Sequence, residues 1–246
     1  MTNKICVITG ASSGIGESIA KKLEQDGFHV FNLDLKPGKF GTFKHCDVTN
    51  HQQVIDIISS IAIEHGKTNG IHGLVCNAGI HFSANIENTS EEELLRVFNI
   101  NVKGAFSAIQ ATIPFMKQNN TGSIVIVSSD QALIAKGNSC AYNMSKAALA
   151  SLAKTTAIDY APYTIRANAV CPGTIETPLY RKAIDNYCAR SGADKAQVHA
   201  EEAALQPLNR LGQPEEVAEL VSFLISEKSQ FITGSLQVID GGYTAQ

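Results

Sequence analysis

The sequence has no apolar run approaching the ~18–20 residues that a bilayer-spanning helix needs, so no membrane span is expected. Charge is also scarce. Only 17% of the 246 residues are charged, and the formal net charge is −3 with the signs mixed along the chain. No basic block exists to contact a phosphate backbone, which argues against a nucleic-acid partner. None of the six cysteines forms a C-x-x-C pair, and several lie inside apolar runs, so Cys6, Cys46, Cys76, Cys140, Cys171 and Cys188 are expected as buried free thiols. Seven histidines lack metal-ligand spacing, so no metal site is expected. Met1–Lys4 leads into only a few apolar residues before Thr9 and Gly10, too few for a signal peptide. The expected protein is soluble and cytoplasmic.

What the chain does have is a 44% hydrophobic content and many small residues, suited to close packing of helices on a sheet. Apolar strand patterns at Lys4–Thr9, His29–Asp34, Thr42–Cys46, Ile71–Cys76, Gly122–Ser128, Thr164–Val170 and Leu236–Ile239 alternate with helical ones. The helical patterns run over Gly14–Gln25, from Asn50 to about His65, from Ser90 to about Gln118, and over Ala141–Tyr160. Ser90 with Glu93 resembles a capping box. The alternation predicts one α/β domain over residues 1–246, a doubly wound, Rossmann-like parallel sheet of about seven strands with helices on both faces. The charged stretch 179–211 fits it poorly and is expected as a helical lid over the site.

Gly10, Gly14 and Gly16 stand between the first strand and the first helix. Glycine permits a sharp turn and lets backbone N–H groups approach a pyrophosphate at a helix N-terminus. Ser12, Ser13 and Ile15 complete that turn as cofactor-site residues. Asp34 ends the second strand, where a carboxylate can accept from both adenosine ribose hydroxyls and repel a 2′-phosphate. Ser13 and Leu35 offer no cation to such a phosphate, although Lys36 is close; NAD is therefore expected over NADP. Asp34 also has an ordinary alternative as the first residue of a turn toward Pro37-Gly38. Asp47 and Val48 follow the third strand, and Asn77, Ala78 and Gly79 the fourth. Asp47 can reach an adenine amino group and Asn77 can tie strand ends together, or each can serve as a plain cap or turn residue.

Tyr142 and Lys146 are four apart on one helical face, with Ser129 at the end of the fifth strand. A free phenol, with a pKa of ~10, is a poor base at neutral pH. A nearby ammonium and an oxidised nicotinamide both favour the phenolate. Tyr142 can then exchange a proton with a substrate oxygen while Ser129 hydrogen-bonds it. Asn101 is either a residue holding a water beside Lys146 or an ordinary exposed helix residue.

Taken together, Thr9–Gly16, Asp47, Asn77-Ala78-Gly79, Asn101-Val102-x-Gly104, Ser129, Tyr142-x-x-x-Lys146, Pro172-Gly173 and Thr177-Pro178 resemble the short-chain dehydrogenase/reductase family over essentially the whole chain. The resemblance implies an Asn101–Ser129–Tyr142–Lys146 catalytic tetrad. It also implies cofactor contacts from Tyr142, Lys146, Pro172 and Gly173, nicotinamide contacts from Ile175 and Thr177, and a homotetramer paired partly through the helices carrying Asn101 and Tyr142. It brings a carrier-protein reductase alternative, 3-oxoacyl-acyl-carrier-protein reduction. Asp34 argues against that alternative, as do Asn119-Asn120 and Tyr163 at positions where such enzymes often carry arginine. Gln131, Lys136, Asn138, Tyr180 and Arg181 are candidate substrate contacts, and their segments resemble dehydrogenases of deoxy sugar acids. A small polar substrate such as a sugar acid or polyol is expected. A non-catalytic NAD-binding regulator is the alternative of another class, disfavoured because Ser129, Tyr142 and Lys146 are all present.

Overall fold

A computed structural model describes residues 4–65 and 70–246. Met1–Asn3, part of the segment read as too short for a signal peptide, lie outside them. Seven strands form one parallel sheet in the order β3-β2-β1-β4-β5-β6-β7. They are β1 Lys4–Thr9, β2 Phe28–Asp34, β3 Thr42–His45, β4 Ile71–Cys76, β5 Gly122–Val127, β6 Ile165–Pro172 and β7 Leu236–Ile239. Eight α-helices accompany them among the described residues: α1 Gly14–Gln25, α2 His51–Glu64, α3 Glu91–Phe98, α4 Gly104–Asn119, α5 Cys140–Tyr160, α6 Pro178–Ser191, α7 Lys195–Ala204 and α8 Pro214–Ile225.

The pleat of β1 shows how the sequence makes two cores. Successive side chains point to opposite faces. Ile5 and Val7 join Val54, Ile58 and Ile61 of α2, Ala108 and Met116 of α4, and Leu149 and Ala153 of α5. Cys6 and Ile8 face the other way, onto Ile19 and Leu23 of α1 and Val217, Val221 and Leu224 of α8. A strand buried on both faces must be apolar throughout, which is why KICVIT carries no alternation. The sheet order reverses between β1 and β4, so the crevice for a ligand lies at the carboxyl ends of these strands.

Several local expectations change. The single helix expected from Ser90 to Gln118 is α3 and α4 joined by a π-helical turn over Asn99–Lys103. Such a turn widens the ring of backbone hydrogen bonds and re-aims the side chains on it. Ser90 caps α3 by accepting from Glu93 N–H (3.1 Å), but the Glu93 carboxylate bonds Arg96 rather than returning to Ser90, so the box is half formed. The expected lid is two helices, α6 and α7, and α8 follows it as a core helix with no counterpart in the sequence reading. Cys6, Cys46, Cys76 and Cys171 are buried free thiols, whereas Cys140 and Cys188 are half-exposed, because each lies on a helix flank rather than in a strand. Among the described residues no helix is long and apolar enough to cross a membrane.

Candidate active site

The glycine-rich turn leaves β1 with Gly10 at φ 71° and Gly14 at φ 56°, both in the left-handed region that favours glycine. Gly16 has a steric requirement: a Cβ there would lie 2.1 Å from Gly10 O. Thr9 Oγ1 accepts from Asn77 N–H and Ala78 N–H, both at 3.2 Å, and Asn77 Nδ2 donates to Gly10 O at 2.7 Å. These bonds lock the ends of β1 and β4 together. Ser13 precedes α1 in an extended conformation without a side-chain cap bond, so the first turn of α1 keeps backbone donors for a ligand. A cradle without Cβ atoms, opening onto an uncapped helix N-terminus, fits a dinucleotide pyrophosphate.

Asp34, at the end of β2, reaches this turn. Its Oδ2 accepts from Ser12 N–H (3.0 Å) and its Oδ1 from Leu35 N–H (2.7 Å). It is therefore more than the opening of a turn toward Pro37. Leu35 is 59% exposed beside it. Asp47 Oδ1 accepts from Thr49 N–H (2.9 Å) and Oγ1 (2.7 Å), a local turn that leads into the Asn50 cap of α2. Val48 packs on Gly104, while a Cβ on Gly79 would come 3.3 Å from Asn101 Oδ1. On the far side, Pro172 ends β6 and Gly173 lies close to Asp240. Ile175 is buried with the α1/α8 core. Thr177 caps α6 by accepting from Tyr180 N–H (3.1 Å), and it faces Gly14, whose Cβ would lie 3.4 Å from Thr177 Cβ.

Burial decides between the two readings of Asn101. The exposed-helix reading fails: Asn101 is 1% exposed, turned inward by the π-helical turn. Its Oδ1 accepts from Ile80 N–H (2.8 Å), and its Nδ2 donates to Ile80 O (3.1 Å) and Ser145 Oγ (3.0 Å). It thus joins the chain after β4 to α5, one residue before Lys146.

Ser129, Tyr142 and Lys146 come together at the end of β5. Lys146 Nζ lies 5.4 Å from the centre of the Tyr142 ring and donates to Val127 O at 3.0 Å. Burial lowers the Lys146 ammonium to about 8. Burial pushes Tyr142 up, a hydrogen bond from Ser129 opposes that shift, and the Asp130 charge adds to it. Without cofactor, desolvation outweighs any help from Lys146, and the phenol is held protonated.

Three neighbours were absent from the candidate residues. His81 meets Tyr142 edge-on with ring centres 4.8 Å apart, and burial first, then Lys136 and Lys146, lower its pKa. Asp130 is 2% exposed and 3.4 Å from Lys136 Nζ, and Lys136 also lies over the Tyr243 ring at 4.6 Å. The only signals in the sequence were positional: His81 follows Asn77-Ala78-Gly79, and Asp130 follows Ser129. Gln131 Oε1 is buried without a partner. Asn138 is exposed with φ 53°. Tyr180 OH bonds His199 Nδ1 (3.0 Å), and Arg181 pairs with Glu176 (2.7 Å). Those last two bonds tie α6 to α7 and to the chain before it.

This fold, with a phenol, a lysine and a serine at the carboxyl edge of the sheet beside a glycine-rich turn, defines a dinucleotide-dependent oxidoreductase. Residues 10–244 match a family model described as enoyl-(acyl carrier protein) reductase. The chain is 35% identical to a 3-oxoacyl-[acyl-carrier-protein] reductase of Thermotoga maritima, over 98% of each chain. It is 34% identical to a cyclopentanol dehydrogenase of a Comamonas species, over 100% of this chain and 98% of the other. Among solved structures, ligand-free aldohexose dehydrogenase of Thermoplasma acidophilum aligns with a TM-score of 0.91 at 39% identity, over 99% of this chain and 95% of that one. ElxO with NADP bound aligns at 0.89 and 29%, over 99% and 100%. The chain belongs to the short-chain dehydrogenase/reductase family. It is an oxidoreductase acting on CH–OH groups, in a family that binds a nicotinamide cofactor.

Proposed function

We propose that this protein interconverts a secondary alcohol and a ketone with NAD(H), on a small polar substrate such as a sugar acid or polyol. The observation that carries the proposal is the convergence of Ser129, Tyr142 and Lys146 on the edge where Asp34 braces the glycine-rich turn. Gly10, Ser12, Ser13, Gly14, Ile15 and Gly16 would hold the pyrophosphate, Asp34 and Leu35 the adenosine ribose, and Asp47 and Val48 the adenine. Asn77–Gly79, Pro172, Gly173, Ile175 and Thr177 would line the nicotinamide half. Bound NAD supplies the hydride acceptor, and NADH the donor. Tyr142 passes the proton: its protonated phenol donates to the substrate oxygen in reduction and regains that proton in oxidation. Lys146, 5.4 Å from the centre of the Tyr142 ring, would stabilise the phenolate and hold the ribose hydroxyls of a bound cofactor. Asn101 fixes the start of α5 through Ser145.

NAD is preferred on charge. Asp34 ends β2 beside the glycine-rich turn with both oxygens turned to its backbone, and its charge there would repel a 2′-phosphate. The same carboxylate weighs against carrier-protein reduction, the reading favoured by the Thermotoga relative. Tyr163, where an arginine would serve that role, instead lies under Lys117 at 4.3 Å. The aldohexose and cyclopentanol relatives support uncharged or polar alcohols as the substrate class. Gln131, Lys136, Asn138, Tyr180 and Arg181 remain the proposed substrate contacts, with Lys136, Tyr180 and Arg181 held by Asp130, His199 and Glu176 respectively. Assembly through α4 and α5 is also proposed, since Phe98, Val102, Phe106 and Leu152 line an apolar cleft there. The test is a turnover screen with NAD and with NADP against sugar acids, polyols, cyclic alcohols and hydroxyacyl thioesters. Activity with NAD on a polar alcohol is expected. Activity confined to thioesters with NADP(H) would refute the substrate and cofactor readings together.

A further inference from the structure

Asn32 is out of place in β2. The strand is otherwise apolar from Val30 to Leu33, and the pleat sets Asn32 on the same face as Val30, toward the α1/α8 core. Asn32 is 0% exposed, and its Oδ1 has no hydrogen-bond partner among the described residues. A buried amide with one end unpaired costs stability, and an aliphatic side chain of the same shape would avoid that cost. The other end of the amide is the one that acts: Nδ2 donates to Ser12 Oγ at 3.0 Å.

Chemistry fixes the direction of these bonds. Ser12 Oγ also bonds the carbonyl oxygen of Lys36, which can only accept, so the serine hydrogen goes there. Ser12 Oγ must then accept from Asn32, which turns Nδ2 toward it and leaves Oδ1 facing away. A chain of bonds therefore runs from inside β2, through the glycine-rich turn, to the loop 35–41 that follows Asp34. The loop lies tightly on this chain. A Cβ on Gly38 would be 2.7 Å from Ser12 Cα and 3.0 Å from Asn32 Nδ2, and one on Gly41 would be 3.1 Å from Asn32 Cβ. Farther along, the loop is tied to α1. Lys39 pairs with Glu17 (3.5 Å), and Gly41 N–H donates to Glu24 Oε1 (2.9 Å).

We propose that Asn32 is a positioning residue for cofactor selection: acting through Ser12, it holds the loop 35–41 closed on the glycine-rich turn and so narrows the space at the adenosine 2′ position. The inference rests on the proposed binding of the adenosine ribose at Asp34. Asp34 would repel a 2′-phosphate by charge, whereas the tether excludes it by volume. NADP has to lift the loop and break the Ser12 bond to Lys36 O to make room for its extra phosphate. NAD does not.

The experiment is fluorescence titration of NADH and of NADPH into the full chain, wild type against Asn32→Leu, at low and at high salt. Leucine keeps the shape of the amide and removes its bond to Ser12. The expected result is a rise of about fivefold in the ratio of NADPH to NADH affinity, the scale of one hydrogen bond, and of the same size at both salt concentrations. Equal weakening of the two cofactors is what a merely structural residue would give, and it would overturn the proposal, as would an unmoved ratio. A shift that disappears at high salt would also overturn it, because salt screens charge and not volume. The wild-type ratio tests the NAD reading separately: a wild type that prefers NADPH refutes that reading, while the change caused by Asn32→Leu still decides the tether. A second readout needs no cofactor. Trypsin should cut after Lys39 faster in Asn32→Leu than in wild type, since the loop is released; equal rates would count against the tether and overturn the proposal. Should Asn32→Leu fail to fold, Ser12→Ala cuts the same tether and keeps the Ser12 N–H bond to Asp34. The same rise in the ratio is expected from it, and an unmoved ratio overturns the proposal.

Discussion

Asp34→Asn removes the charge on which the proposed cofactor preference depends. Asp34 accepts from Ser12 and Leu35 N–H, and under the proposed cofactor binding its charge would also face a 2′-phosphate. Alanine would remove both, loosening the turn and weakening every dinucleotide. Asparagine keeps an acceptor for Ser12 N–H, removes the charge and gives up only the acceptor for Leu35 N–H. At about 5 Å, two unit charges repel by roughly 0.8 kcal/mol in water and 3.3 kcal/mol at an effective dielectric of about 20. Asp34 is half-buried, so it lies between these limits. A phosphate carries more than one charge, but salt screens part of the repulsion. A net change of about 1–3 kcal/mol, roughly five- to hundredfold in the ratio of NADPH to NADH affinity, is the expected gain. Fluorescence titration of both reduced cofactors into wild type and Asp34→Asn measures it. A wild type that already prefers NADPH, or a variant whose ratio does not move, would refute the reasoning.

Three further outcomes follow from the site. Lys146→Met should stabilise the protein at neutral pH while abolishing turnover. The native ammonium titrates at about 8 against ~10.4 in an unfolded chain. A charged lysine therefore disfavours the fold below pH 8, and the penalty fades as pH rises from 8 toward 10.4. The full penalty is on the order of 3 kcal/mol; after loss of the bond to Val127 O, a gain of about 1–2 kcal/mol should remain in urea unfolding at pH 7 and shrink by pH 10. A gain independent of pH would contradict the burial argument. Asn101→Ala removes three side-chain bonds and leaves Ile80 N–H and O without them, so a loss of about 2–4 kcal/mol is expected in the same assay. Gly16→Ala should cost about 3 kcal/mol or more and impair cofactor titration, because a methyl cannot fit 2.1 Å from Gly10 O.

The parts of the molecule legible in the sequence are those set by local pattern. Continuous apolar runs gave β1, β4 and β5 their boundaries within a residue, because strands buried on both faces have nothing else to be. The glycine spacing located the cradle because sterics at Gly16 leave little choice. The π-helical turn at Asn99–Lys103 was not legible: helical periodicity runs straight through it, and the turn exists because Asn101 finds partners on Ile80 and Ser145. α8 follows directly on the charged stretch 179–211 and opens with Pro214, which reads as a break in the sequence although proline at a helix start is compatible with the free first-turn N–H. His81, Asp130 and Tyr243 escaped for another reason. Their roles come from side chains that meet only after β4, β5 and the C-terminal segment are brought to one edge. The burial that raises the Tyr142 phenol in the cofactor-free protein was not legible either, since a four-residue spacing says nothing of desolvation.

The most direct test of the central claim compares wild type with Tyr142→Phe in NADH formation from NAD and the best alcohol of the screen, with cofactor affinity measured in parallel. The account predicts that wild type forms NADH, and that the variant loses at least about a hundredfold in turnover while binding NAD as before. A variant that turns over at the wild-type rate would contradict the assignment of proton transfer to Tyr142.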